Sequence, residues 1–352
     1  MAAHTTGILD FEREDGLAFL ERLGVNAVEV ACAGVFKDLR YGDPAELVRD
    51  EEALRRWLDA YARHGLEICA LSIHGEPLSP DEAVAGEYRR QFRDACALAE
   101  KIGVSRLSLV AGVCEGAPGD SHPAWIVGLP AEWPTPNQDV LRWQWEERLL
   151  PYWAEQAKVA TDHGCELCFE MTVWDLAYNP AALLRLRKEI GEVVRCNFDP
   201  SHLFYQGIDV FEAVSELREI IRLVHVKDTR INEAAMRRNG WFHNDPRTPL
   251  DQRPWSFATV GYGHDAVWWG EFITTLRLHG YDDVLSIEHE DPFMAFPEGV
   301  EKAVRFLEPL LIESKPMSAL SVGADPASEE LLTGVREVDA VVDGMGTGAK
   351  RV

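Results

Sequence analysis

Four apolar runs in the second half of the chain end on a residue that can bind a cation. Leu167-Cys168-Phe169 ends on Glu170, residues 193–198 end on Asp199, Leu223-Val224 ends on His225, and Leu285-Ser286-Ile287 ends on Glu288. Short apolar runs of this kind read as buried strands. The second stops at Pro200, since proline cannot continue a central ladder. Singly, each terminal residue has an ordinary explanation: Asp199 would cap the turn that follows it, and His225 would be a hydrogen-bonded core histidine. Together they place Glu, Asp, His and Glu at four strand ends. Carboxylates gathered with nothing between them repel and raise one another's pKa. One divalent ion would settle that cluster, manganese first, with magnesium, cobalt and zinc also suited to oxygen and imidazole donors. Glu290 competes with Glu288, because alternate residues of a strand share a face. Glu288 is preferred because it directly follows the apolar run.

Other residues around these ends could meet a substrate. His202 stands three residues after Asp199. Lys227 and Arg230, just past His225, are either surface ion-pair residues or ligands for a sugar oxygen or a phosphate. His74 closes an apolar run before Gly75 and is either a turn residue or an acid/base facing a pocket. Trp174, Trp241 and Trp255 are packing residues or platforms on which a sugar ring stacks.

A fold must gather these strand ends. Strands are expected at residues 4–9, 26–32, 66–73, 104–111, 165–170, 193–198, 221–226 and 283–287. Helices are expected at 14–23, 50–64, 81–102, 137–163, 180–190, 210–217, 266–278 and 298–311, with Pro151 kinking or splitting the fifth. Strand and helix alternating eight times predicts a parallel sheet with right-handed crossovers, closed as a (β/α)8 TIM barrel. An open doubly wound sheet would want a glycine-rich turn after its first strand, and Asp10-Phe11-Glu12 is not one. In the barrel, neighbouring strands lie roughly 4.8 Å apart and present their C-terminal ends on one face, so strands five to eight can reach a single ion.

Two connections are long. Residues 112–136, rich in Gly, Pro and Trp, read as an ordered loop over one end. The segment 230–263 leaves the seventh strand at the active face with Trp241, Phe242, His243 and Trp255. It reads as a lid, with Gly240 and the glycines of VGYG as hinges. The barrel is expected over 1–313. Residues 314–352, rich in Ala, Gly, Ser and Val, read as a tail, flexible or docked on a partner chain. A homo-oligomer is expected, or a small partner subunit.

Bulk properties exclude several classes. The net charge of −24 repels nucleic acid and anionic membrane. No run approaches the roughly 18 apolar residues of a membrane span. The first residues lack the basic start and apolar core of a signal peptide. The seven cysteines are an odd number. Cys165 and Cys168 have C-x-x-C spacing, but a strand would point them to opposite faces, a poor chelating geometry. Reduced thiols in a cytoplasmic protein are the expectation.

The motifs Phe169-Glu170, NFDPSH (197–202), HVKD (225–228), VGYG (260–263) and SIEHED (286–291), with HGEPLSP (74–80) and the Trp-rich helix, resemble the xylose-isomerase-like barrel superfamily. More closely they resemble its sugar phosphate isomerase/epimerase group, whose fold is shared with the type-2 AP endonucleases. The resemblance runs from about residue 15 to 312. It implies one divalent metal held by Glu170, Asp199, His225 and Glu288. It also implies proton transfer by the two glutamates, and contact of His202 with substrate oxygens. The implied activity is sugar isomerisation or epimerisation by proton abstraction beside a carbonyl, through a metal-bound enediolate. With a leaving group β to the carbonyl, the same chemistry becomes elimination, a lyase or dehydratase acting on 3-oxo-glycosides. An AP-endonuclease-like phosphodiesterase is opposed by the acidic surface, and a non-catalytic sugar-binding barrel by the four intact ligand positions. The short first strand, the long 230–263 segment and the tail depart from the family pattern.

Overall fold

The computed structural model describes residues 1–35, 37–128, 136–312 and 314, the side chains of 136–138 excepted. Eight parallel strands close into a barrel: β1 (Ala2–His4), β2 (Ala27–Ala31), β3 (Glu67–Ser72), β4 (Arg106–Leu109), β5 (Glu166–Glu170), β6 (Val194–Phe198), β7 (Ile221–Val226) and, after a two-stranded antiparallel hairpin of β8 (Asp228–Ile231) and β9 (Trp255–Ala258), β10 (Leu285–Ile287). The order around the barrel is β1-β10-β7-β6-β5-β4-β3-β2, so the expected (β/α)8 architecture is found.

Local chemistry sets the element ends. Asp50, Asp81, Asn179, Asp209 and Asp265 each precede a helix and accept backbone N–H groups of its first turn. Gly103 ends the helix Glu82–Ile102 in the left-handed region, at φ 73°. The helices press large apolar side chains onto the barrel. Trp153 is fully buried, meets Phe169 edge-on at 4.7 Å, and donates its indole N–H to the Ala111 carbonyl at 2.9 Å.

Four expectations need correction or completion. The first strand is Ala2–His4 and not residues 4–9. The His4 ring accepts the Thr6 N–H, turning Thr5–Ile8 into a 3-10 turn, and the Thr5 hydroxyl accepts the Ala31 N–H at 2.9 Å. Three residues still suffice to close the barrel, through pairs with β10 and β2. The Trp-rich helix is not split at Pro151. A π turn over Gln144–Leu149 widens the ladder just before the helix Leu150–Asp162, where proline sits in the first turn and needs no N–H partner. The 230–263 segment is not a structureless loop, since β8 and β9 pair across it, with the helix Glu233–Asn239 between them. The tail falls, except for Ser314, outside the described residues. All seven cysteines are free and buried, and no helix among the described residues is long and apolar enough to cross a membrane.

Candidate metal centre

One donor atom from each of Glu170, Asp199, His225 and Glu288 lies within 4.8 Å of the others, and all four residues are buried. Glu170 ends β5, Asp199 follows β6, His225 lies in β7 and Glu288 follows β10, four strands that are successive neighbours around the barrel. Parallel register aligns the last pair, with His225 beside Ser286. The competitor Glu290 is not in the cluster. Its carboxylate lies at the cavity wall and accepts from Lys227 Nζ at 3.0 Å.

A second layer orients this set. His225 Nε2 stands 2.9 Å from Glu29 Oε2, which also accepts the Ser286 hydroxyl at 2.8 Å. Nδ1 is left facing Glu288 Oε2 at 3.1 Å and Glu170 Oε2 at 3.7 Å. Asp199 Oδ1 accepts the Ser201 N–H at 2.8 Å, and Oδ2 pairs with the Lys227 ammonium at 3.2 Å. Glu170 lies 2.6 Å from His74 Nε2 and 2.9 Å from His202 Nε2. Lys227 donates to Glu288 Oε2 at 2.7 Å.

Burial and pairing oppose each other at every group. Burial alone would push His225 down, but Glu29, Glu288 and Glu170 outweigh it and raise the imidazole well above its usual value. Burial would raise Glu288 and Glu170. Lys227 and His225 hold the first well below the carboxylate range, and His225 with its neighbouring histidines does so for the second. Asp199 is where burial wins, pushing the carboxyl up to about 6 against Lys227 and His202. Glu29, buried but facing His225 and His4, is lowered to about 2. A proton on His225 thus balances carboxylates that a metal ion would balance better. The fit to an ion is specific. His225 Nδ1 and Asp199 Oδ2 are buried and have only ion-pair contacts, the shortest with Glu288 and Lys227, in place of a well-formed hydrogen bond, and three carboxylates with one imidazole suit a hard or borderline divalent cation.

His74, His202, Lys227 and Trp174 line a cavity of about 410 Å³ together with Glu170 and Glu288. Trp255 also lines it, stacked on Tyr205 with ring centres 3.8 Å apart. Arg230 is not among its lining residues, because its guanidinium lies over Phe293 at 5.2 Å. Trp241 is not among them either, and its carbonyl accepts the Trp255 indole N–H at 3.0 Å. Sequence reasoning missed Glu29, though a single carboxylate between Val28 and Val30 in an apolar strand is a signal. It also missed Asp228. One oxygen of that side chain accepts the N–H groups of Gly261, Gly263 and His264 at 3.1, 3.0 and 2.9 Å, and the other accepts the Thr229 N–H and lies 2.7 Å from the His264 ring. A Cβ on Gly263 would collide with the Thr229 carbonyl and the Asp228 carboxylate. VGYG is therefore a clamped turn and not a hinge.

The family model for the xylose isomerase-like TIM barrel matches residues 17–310. The uncharacterised protein YfiH of Bacillus subtilis (strain 168) is 33% identical over 297 residues, 84% of this chain and 94% of its own. Two solved structures share the fold at lower identity. The IolI protein carrying a zinc atom is 14% identical with a TM-score of 0.57, covering 90% of this chain and 99% of its own. The 3-keto-D-glucoside 4-epimerase YcjR of E. coli is 12% identical with a TM-score of 0.53, covering 86% and 98%. With its closed eight-stranded barrel and a model match over most of its length, this chain belongs to the xylose isomerase-like TIM barrel family.

Proposed function

We propose that the chain is a divalent-metal-dependent isomerase or epimerase of oxo-sugars that works by moving a proton on the carbon beside a carbonyl. One observation carries this reading: a Glu-Asp-His-Glu donor set within 4.8 Å, with both glutamates on the wall of a cavity large enough for a sugar. Glu170, Asp199, His225 and Glu288 would hold the ion. When bound there, it would draw electron density from a carbonyl and the adjacent hydroxyl and so acidify the intervening C–H. The protein's own groups do the rest. Glu170 and Glu288 are placed to take and return the proton. Lys227 anchors Glu288, His74 and His202 steady Glu170, and His202 can also reach a substrate oxygen. Tyr205, Trp255 and Phe257 form an apolar wall that excludes water from the carbanionic centre. The fold likeness to a keto-glucoside epimerase supports a substrate that carries a ring carbonyl.

Return of the proton to the opposite face gives epimerisation, and to the neighbouring carbon gives isomerisation. Elimination from a 3-oxo-glycoside starts with the same proton removal. It is favoured as a second reading by a second cavity that shares Trp174 as a lining residue. The test is solvent deuterium incorporation into keto-hexoses and 3-oxo-glucosides in D2O, with manganese, zinc or magnesium and after chelation. Exchange that needs the metal is expected. Glu170→Gln, Asp199→Asn, His225→Asn and Glu288→Gln should each lose bound metal and exchange. Full exchange by chelated protein, or by Glu170→Gln and Glu288→Gln alike, would overturn the mechanism.

A further inference from the structure

Trp174 stands on the wall of the cavity that contains the carboxylates. The same residue lines a second cavity of about 640 Å³, whose other walls are Phe242 and residues 243–247 of the segment between β8 and β9. Trp174 is 66% exposed, and its φ of 79° makes it the only non-glycine residue with positive φ among the described residues. Left-handed backbone is unfavourable for a bulky side chain and persists only where the surroundings enforce it. Here they do. The buried carboxylate of Asp175 accepts the N–H groups of Ala177, at 2.7 Å, and of Gly112, while its carbonyl accepts the Trp125 indole N–H at 2.8 Å. The Trp125 ring in turn stands 5.2 Å from Trp174 and 6.3 Å from Phe242. Strain that buried an apolar ring would be explained by the core. This strain holds a large, mostly exposed ring on the wall of both cavities, and so points to a ligand that covers it.

Charge narrows the ligand. In the inner cavity Lys227 is held by Asp199, Glu288 and Glu290. In the outer one the Arg247 guanidinium is held on both sides by Asp245, at 2.9 and 2.6 Å. Among the described lining residues, neither cavity offers an unpaired guanidinium or ammonium group to an anion, whereas an exposed indole face suits a neutral ring.

We propose that the two cavities form one bipartite substrate site. The sugar that reacts sits in the inner cavity. An uncharged second ring, joined to it through a glycosidic bond, stacks on Trp174 in the outer cavity. This rests on the oxo-sugar reading above, but its test does not. Glucosides whose anomeric carbons are all blocked carry no carbonyl and cannot enolise, so methyl, phenyl and glucosyl β-D-glucosides, the last capped as its methyl glycoside, can be titrated into the manganese-loaded protein by calorimetry without turnover. The expected result is binding about tenfold tighter for phenyl, glucosyl or both than for methyl, the scale of one stacked ring. Which of the two gains distinguishes an aromatic aglycone from a second sugar. Trp174→Ala should abolish the advantage of the phenyl and glucosyl probes, bringing their affinities to that of methyl glucoside measured on the same variant. Trp174→Gly, which adopts positive φ without strain, should do the same while melting no lower than wild type, so misfolding is not the cause. Equal affinity for all three probes, no binding of any, or an advantage that survives both variants would overturn the proposal. Failure of deuterium exchange would overturn the mechanism and leave this result standing.

Discussion

His225 can offer a cation only one of its two nitrogens, because Glu29 holds the other. Such outer partners set the tautomer and basicity of a ligating imidazole, and their loss typically weakens metal binding by about 10- to 100-fold. Glu29→Gln is therefore expected to bind manganese about 10- to 100-fold more weakly by calorimetry, with activity restored by excess metal. Glu290→Gln, which alters only a Lys227 partner, should bind it like wild type. Unchanged affinity in the first variant, or metal loss in the second, would show that the centre is organised differently. The four donors were readable because each follows an apolar run, and a strand end in a barrel has only one face to point to. Glu29 was not, because its position inside a strand gives no hint that the residue facing it across the barrel is a histidine 196 positions away. Arg230 is the reverse case. Its position after His225 suggested the pocket, but β8 turns it onto Phe293.

At the scale of elements, the hairpin β8–β9 is fastened at its base by one carboxylate. Asp228 accepts from backbone on β8, from the VGYG turn after β9, and from the Trp269 indole on the helix Ala266–Leu278 at 3.3 Å. Asp228→Asn keeps only one acceptor oxygen, so its amide hydrogens would face either the N–H groups of Gly261, Gly263 and His264 or that of Thr229. The expected loss is on the order of 3 kcal/mol, read as a lower urea midpoint with unchanged slope. A variant as stable as wild type would mean that the turn holds itself. Periodicity located most strands and helices, since apolar runs and capping residues act within a few positions. It failed where a distant partner decided the outcome. The run at residues 4–9 contains Ile8 and Leu9, yet His4 and Thr5 bend the chain after three strand residues. The glycines of VGYG read as hinges because only tertiary structure reveals the carboxylate that clamps them.

Over the whole molecule, acidity and pairing act in the same direction. The chain carries a net charge of −24, and the buried Lys227 is surrounded by carboxylates whose attraction raises its pKa well above the usual value despite burial. A phosphorylated sugar would meet repulsion on approach and, among the described lining residues, no unpaired ammonium or guanidinium group on arrival. A free keto-hexose is expected to exceed its phosphate ester in kcat/KM by about tenfold or more, with the gap narrowing as salt screens the surface. A preference for the phosphate ester at low salt would contradict this. The barrel itself was legible from eight alternations and four strand ends, whereas the outer cavity was not, because it is built from segments that meet only after folding. The clamp at Asp228 also separates two kinds of inheritance. Below it lies His225, fully buried against Glu29, Glu170 and Glu288. Above it, residues 240–249 form a tip joined to the barrel through a fixed base. That tip is expected to serve as an exchangeable cassette. Lineages, or a protein engineer, could swap it to receive a different second ring while the chemistry underneath is left untouched.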